Sequence, residues 1–119
     1  MTSPLRSPFA GILQALIRQR GVVGSMVVSE SDGIIVDSNL QIGVRGAVVA
    51  ALAASLFRKA RMSADAAGFG GATFLQLEAE RGRVCAVGRG DLVLVAVAES
   101  RANVGLIRVE LLRALESLP

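Results

Sequence analysis

The stretch Leu92-Val93-Leu94-Val95-Ala96-Val97-Ala98 contains seven residues and no polar side chain. A strand with one wet face alternates apolar and polar residues, whereas a strand covered on both faces reads as an unbroken apolar run. This segment is therefore expected at the middle of a sheet, with helices packed on both sides. Arg89-Gly90-Asp91 leads into it. That triplet matches an adhesion tripeptide, but between two short strands it reads as a hairpin turn.

The neighbouring sequence supplies the rest of such a sheet. Arg83 to Val87 reads as the preceding strand, and Arg81-Gly82 turns into it from a strand over Ala72 to Glu80. Further upstream, Val22 to Glu30 and Ile34 to Ser38 form a pair joined by Ser31-Asp32-Gly33, a turn of the kind hairpins use. Three segments have helical spacing. Ser7-Pro8 starts the first, with Phe9, Ile12, Leu13, Leu16 and Ile17 on one face and Gly21 at its end. The second covers about Ile42 to Ala66. The third runs from near Ser100 to Leu118, with a stripe of Val104, Ile107, Leu111, Leu115 and Leu118. The order is α-β-β-α-β-β-β-α, an α+β fold whose hairpin-length links make adjacent strands antiparallel.

The 119 residues suffice for one core. Residues 1–7 are expected to form a short tail and 8–119 the domain. No run reaches the roughly 18 apolar residues of a membrane span, and the N-terminal residues lack a signal-peptide pattern. A single cysteine, Cys85, excludes an internal disulfide and suits the cytoplasm. The formal charge is +3, with twelve of the thirteen basic residues arginine, a bias that together with the many alanines suits a high-GC bacterial genome. The basic residues are scattered and no Tyr or Trp offers a stacking surface, so nucleic acid is not the expected partner.

The second helix carries no charge between Arg45 and Arg58. Packing on one sheet needs only a stripe about 100° wide, which Val44, Val48, Leu52 and Leu56 can supply. Val49, Ala50, Ala53, Ala54 and Phe57 then fall on other faces. A helix apolar on all sides needs cover on all sides, and a second copy of the chain is the expected cover. Ala50→Glu or Ala54→Glu should then break a homodimer. The strand Ala72 to Glu80 alternates, with Thr73, Leu75, Leu77 and Ala79 on one side and Phe74, Gln76, Glu78 and Glu80 on the other. That pattern fits an edge strand, and Phe74 and Gln76 join the expected dimer interface.

Catalytic chemistry is sparse. The chain has no His, which removes the commonest general base and most zinc sites. Cys85 sits in the apolar run Val84-Cys85-Ala86-Val87 and reads as an inert buried thiol. Gly68-Phe69-Gly70-Gly71 lacks the Lys-Ser/Thr ending of a phosphate loop and precedes a strand, so it reads as a turn or hinge. No catalytic residue, metal ligand or cofactor-binding residue is assigned.

With this element order, the chain resembles the Roadblock / dynein light chain family over nearly its whole length. The likeness rests on Gly21-Val22-Val23-Gly24-Ser25-Met26-Val27-Val28 leading to Asp32-Gly33-Ile34-Ile35, and on the ending Asn103-Val104-Gly105-Leu106-Ile107-Arg108-Val109-Glu110-Leu111. The resemblance implies a Roadblock-like (profilin-like) five-stranded antiparallel sheet, with the long helix on one face and the terminal helices on the other. It also implies homodimers built through the long helix and the edge strand. Family members act as scaffolds or regulators of Ras-like GTPases or as dynein light chains, and they carry no catalytic residues. The expected function is thus a non-enzymatic, homodimeric adaptor or regulator of a small Ras-like GTPase, with Arg58, Lys59 and Arg61 as the expected contact for acidic surroundings of its switch regions. The alternatives are a ligand-sensing module of profilin or PAS type, which needs a pocket of convergent polar groups, and a structural scaffold of dynein-light-chain type.

Overall fold

The computed structural model of the chain describes residues 7–119, and the first six residues of the expected tail lie outside the described residues. The elements are α1 (Ala10–Ile17), β1 (Val22–Ser29), β2 (Ile35–Leu40), α2 (Gly46–Ala66), β3 (Leu75–Ala79), β4 (Gly82–Arg89), β5 (Leu92–Ala98) and α3 (Val104–Glu116). The strands form one antiparallel sheet in the order β2-β1-β5-β4-β3. The unbroken apolar strand β5 is central, and the alternating strand β3 lies at an edge, as its pattern requires.

Strand alternation divides the interior into two cores. Val27, Leu94, Val87, Cys85 and Ala96 face α1 and α3, and pack with Leu13, Leu16, Ile107 and Leu111. Met26, Val28, Val93, Val95 and Ala86 face the other way, toward α2. The pairs Val27↔Leu94 and Met26↔Val95 keep the two sets in register across β1 and β5. Ser25, fully buried, is satisfied because its hydroxyl donates to the Leu13 carbonyl at 2.9 Å.

Element ends follow local chemistry. The Ser7 hydroxyl accepts the Phe9 N–H at 3.1 Å, so Ser7 does tie the start of the first helix, although the regular helix begins three residues later. β2 runs on to Leu40, past the expected end. α2 starts at Gly46 instead of Ile42, because Gly43 turns the chain with φ +96°. After α2, Gly68 takes φ +81°, its N–H bonds to the Asp65 carbonyl, and the Phe69 N–H bonds to the Ala64 carbonyl. This left-handed glycine cap ends the helix and confirms the turn reading of residues 68–71.

The face that α2 turns to the sheet differs from the expected one. Ala50, Ala53, Ala54 and Phe57 are buried against the sheet, while Val48 is 62% exposed and Leu52 39% exposed. The cause is size. Alanines let the helix settle close to the strands, and the one large ring finds its slot above Gly88, where any Cβ would collide with Phe57. Ala50, Ala53, Ala54 and Phe57 therefore contact the chain's own sheet and are unavailable to a second copy. Ala50→Glu and Ala54→Glu would attack the fold itself.

Candidate partner interface

At 3.6 residues per turn, α2 presents four sides. Opposite the sheet-facing alanines stand Val48, Leu52 and Lys59, all exposed. One flank carries Ala51 and Arg58 and lies against the β1–β2 turn: an added Cβ on Gly33 would sit 3.3 Å from the Ala51 Cα, and Arg58 Nη1 donates to the Glu30 carbonyl at 3.5 Å. The other flank carries Val49, Leu56 and Ala60, each half-buried. On the same side of the sheet, Leu75 of β3 and Val84 of β4 pack against the α2-side core and are only partly covered. Of the expected helix interface residues, Val49 alone keeps an outward-reaching position, on this flank.

The expected edge residues lie on the opposite side of the sheet. Gln76 pairs with Cys85, whose side chain faces α3, and is itself exposed. Phe74 is half-buried against the α1–α3 core, with the Arg108 guanidinium 5.0 Å from its ring centroid. Both stand beside the open edge of the sheet, but neither reaches the α2 side.

The basic cluster divides in the same way. Glu30 is only 6% exposed, and its carboxylate accepts from Arg61 Nη2 and from Arg61 Nε at 3.3 Å. A buried charge needs such a partner. The hydrogen bond to Glu30, reinforced by its charge, holds the Arg61 guanidinium above its ordinary pKa. Arg58 and Arg61 thus clasp the end of α2 to the β1–β2 turn. Lys59 points away from the sheet and makes no ion pair among the described residues. Sequence reasoning missed this clasp because Glu30 and Arg61 are 31 residues apart.

A second acidic clasp closes the same end of the sheet. Asp91 accepts from the Ser29 hydroxyl at 2.8 Å, the Ser31 N–H at 3.0 Å and the Ser31 hydroxyl at 3.1 Å. The Ser29 hydrogen bond, aided by those from Ser31 against a smaller desolvation effect, holds its carboxyl below the usual range. Both acids are employed in joining turns. Cys85 is fully buried, and burial pushes its thiol up, with Arg83 only partly offsetting this. Among the described residues, no group of three His, Cys, Asp or Glu could hold a metal ion, and no helix is long and apolar enough to cross a membrane. An open hollow of about 510 Å³ lies between Arg20, Glu99, Arg101 and Leu106. Gln19 and Asn103 also line it, and the Asn103 Oδ1 accepts the Leu106 N–H at the start of α3.

Comparison with known proteins bears on these surfaces. The Roadblock/LC7 domain pattern matches residues 9–98. The chain is 34% identical over 107 residues to the uncharacterized protein MJ1340 of Methanocaldococcus jannaschii, covering 90% of this chain and 93% of that one. A second protein of that organism, MJ0714, is also 34% identical over 107 residues, with 90% of each chain covered. Among solved structures, Myxococcus xanthus MglB superposes with a TM-score of 0.82 at 18% identity, over 98% of this chain and 89% of that one. A Roadblock/LC7 domain from Streptomyces avermitilis gives 0.80 at 16% identity, over 90% and 91%. At those identities the structural likeness speaks for the fold alone.

Proposed function

Because the chain belongs to the Roadblock/LC7 domain family, we propose that it acts as a homodimeric, non-catalytic adaptor or regulator of a small Ras-like GTPase. The observation that carries this reading is the uncovered side of α2. From Gly46 to Phe57 the helix has no charge, yet one helix covers one whole face of the sheet and keeps Val48 and Leu52 in solvent. Apolar surface of that kind marks an interaction site. The flank of Val49, Leu56 and Ala60 adjoins the open β3 edge. Pairing β3 with its copy about a two-fold axis would lay the two α2 flanks side by side. The outer side, with Leu52 and Lys59, would then form a surface shared by both subunits, on which a GTPase docks. Arg58 and Arg61 hold the helix end in place, and Lys59 is the basic side chain turned to the partner.

Two measurements test this. Sedimentation of the wild-type chain at micromolar concentration should give a dimer, and Leu56→Glu should give a monomer with a nearly unchanged melting temperature. A monomeric wild type would overturn the dimer. A pull-down from the native lysate, with and without GTP analogues, should recover a Ras-like GTPase, and Lys59→Glu should weaken its binding at least tenfold, about 1.4 kcal/mol. If the wild-type dimer captures no GTPase in either nucleotide state, the regulatory reading fails and the dimer alone remains.

A further inference from the structure

The sheet has two edges. One is β3; the other is β2, and no described strand lies beyond it. The Gln41 N–H bonds to the Val23 carbonyl, so alternation along the ladder turns the backbone groups of Asp37, Asn39 and Gln41 toward β1. Those of Ser38 and Leu40 then face the open side. The Ser38 N–H is held there by the Asp37 carboxylate of its own strand, at 2.8 Å, where a further strand would offer a carbonyl. Pairing with β1 is regular from Asp37 to Leu40, and its one irregularity falls at Val36. Exposed apolar side chains flank this regular stretch, Val36 before it and Ile42 after it. The two sides of the edge differ in chemistry. Toward α2 stand Ile35 and Leu40, partly covered by the core on that side. Toward α1 opens a hollow of about 350 Å³ whose lining includes Ala10, Gln14, Asp37 and Asn39. Asp37 is the one charged residue in that lining, and it takes part in no ion pair among the described residues.

We infer that β2 accepts an extended segment of a partner protein as an additional strand, with apolar side chains on the α2 side and a Lys or Arg entering the hollow beside Asp37. Main-chain hydrogen bonds to Ser38 and Leu40 supply affinity in such an addition, and the alternating side chains supply selectivity. The apolar side chains extend the cover over Leu40. The cation meets Asp37, freeing the Ser38 N–H for a carbonyl of the incoming strand. A second copy of β2 is a poor occupant. The segment Ile34 to Ile42 contains Asp37 and no basic residue, so self-pairing brings a second carboxylate and no cation. Charge at an open edge guards against such pairing, and here the same charge selects a basic partner. The edge lies apart from the outer side of α2 and needs neither the homodimer nor the GTPase.

The probe is a capped synthetic peptide alternating valine with lysine, titrated into the isotope-labelled full chain and followed by NMR. Binding should saturate and should slow hydrogen exchange at the Ser38 and Leu40 amides. Ser38→Pro removes one open-side N–H at an edge position where proline is tolerated. It should abolish binding while the melting temperature stays nearly unchanged. Replacing the peptide's lysines by glutamates should weaken binding about fivefold, and Asp37→Lys should reverse that preference. The net charge of +3 favours the glutamate peptide overall, so a preference for lysine reports the local carboxylate. If the lysine peptide protects neither amide, or binds Ser38→Pro as it binds the wild type, β2 is not an acceptor edge and the inference fails. If the two peptides bind equally, the contact with Asp37 is overturned. If Ser38→Pro lowers the oligomeric state of the chain without peptide, the occupant is a second copy and the partner strand is overturned.

Discussion

On one face of the sheet the helices contribute Leu13, Leu16, Ile107 and Leu111; on the other α2 contributes Ala50, Ala53, Ala54 and Phe57. The first face is closed by two helices that each bury two large aliphatic side chains, while α3 also leaves Leu106 and Val109 exposed. The second is covered by a single helix that turns three alanines and one phenylalanine inward and leaves Val48 and Leu52 outside. Burying a Val or Leu is worth roughly 1.5–3 kcal/mol relative to leaving it wet. On the reading proposed above, that outer side of α2 is the surface offered to a partner.

The contrast breaks most visibly at the closed face. Leu94 is fully buried on the central strand and packs on the α1–α3 side. Leu94→Ala should cost about 2–5 kcal/mol in urea unfolding, through lost transfer energy plus the cavity left behind. Leu52→Ala, on the outer side of α2, should change the stability of the isolated chain by less than about 1 kcal/mol. Equal losses at the two leucines would mean that α2 packs with its other side inward.

On the α2 side the vulnerable feature is a missing side chain. Gly88→Ala drives a methyl into the Phe57 ring, and overpacking of this kind costs about 1–3 kcal/mol. Phe57→Leu in the Gly88→Ala background should recover part of that loss, because the smaller side chain vacates the slot. A double variant no more stable than Gly88→Ala alone would show that the ring is not what fills the space. Cys85, buried on the opposite face with its thiol pushed up by burial, should label slowly with thiol reagents in the native state. Fast labelling at neutral pH would mark that face as open.

Much of this was legible in the chain. The unbroken apolar run of β5 and the alternation of β3 report their neighbours on both faces, so central and edge positions could be read directly. The side α2 turns inward could not. Its span from Gly46 to Phe57 is apolar at every angle, so periodicity gave no direction, and the intuition that the larger residues go inside pointed the wrong way. What decided it is a fit between elements, the Phe57 ring over Gly88, and nothing local to either residue announces that pairing. Arg58 and Arg61 were visible as a basic cluster, but their commitment to Glu30 depends on where the β1–β2 turn comes to rest.

The smallest expected effect belongs to neither face but to the end of the sheet where both meet. Asp91, in the β4–β5 turn, accepts hydrogen bonds from Ser29 and Ser31 beside the β1–β2 turn. These bonds favour the ionised carboxylate, chiefly that from Ser29, so the folded-state pKa lies below the ordinary value of 3.8. A group depressed in this way binds protons more readily in the unfolded chain. Its contribution is therefore complete above the ordinary carboxylate range and fades as pH falls through the folded-state value. Asp91→Asn removes the charge while keeping a carbonyl able to accept from one serine. The variant should be slightly less stable than the wild type near neutrality, because the site is solvent-exposed and screened, and the two unfolding curves should converge as pH approaches about 2. A gap between wild type and Asp91→Asn that stays constant from neutral to acid pH would show that the serine hydrogen bonds do not depend on the charge of Asp91.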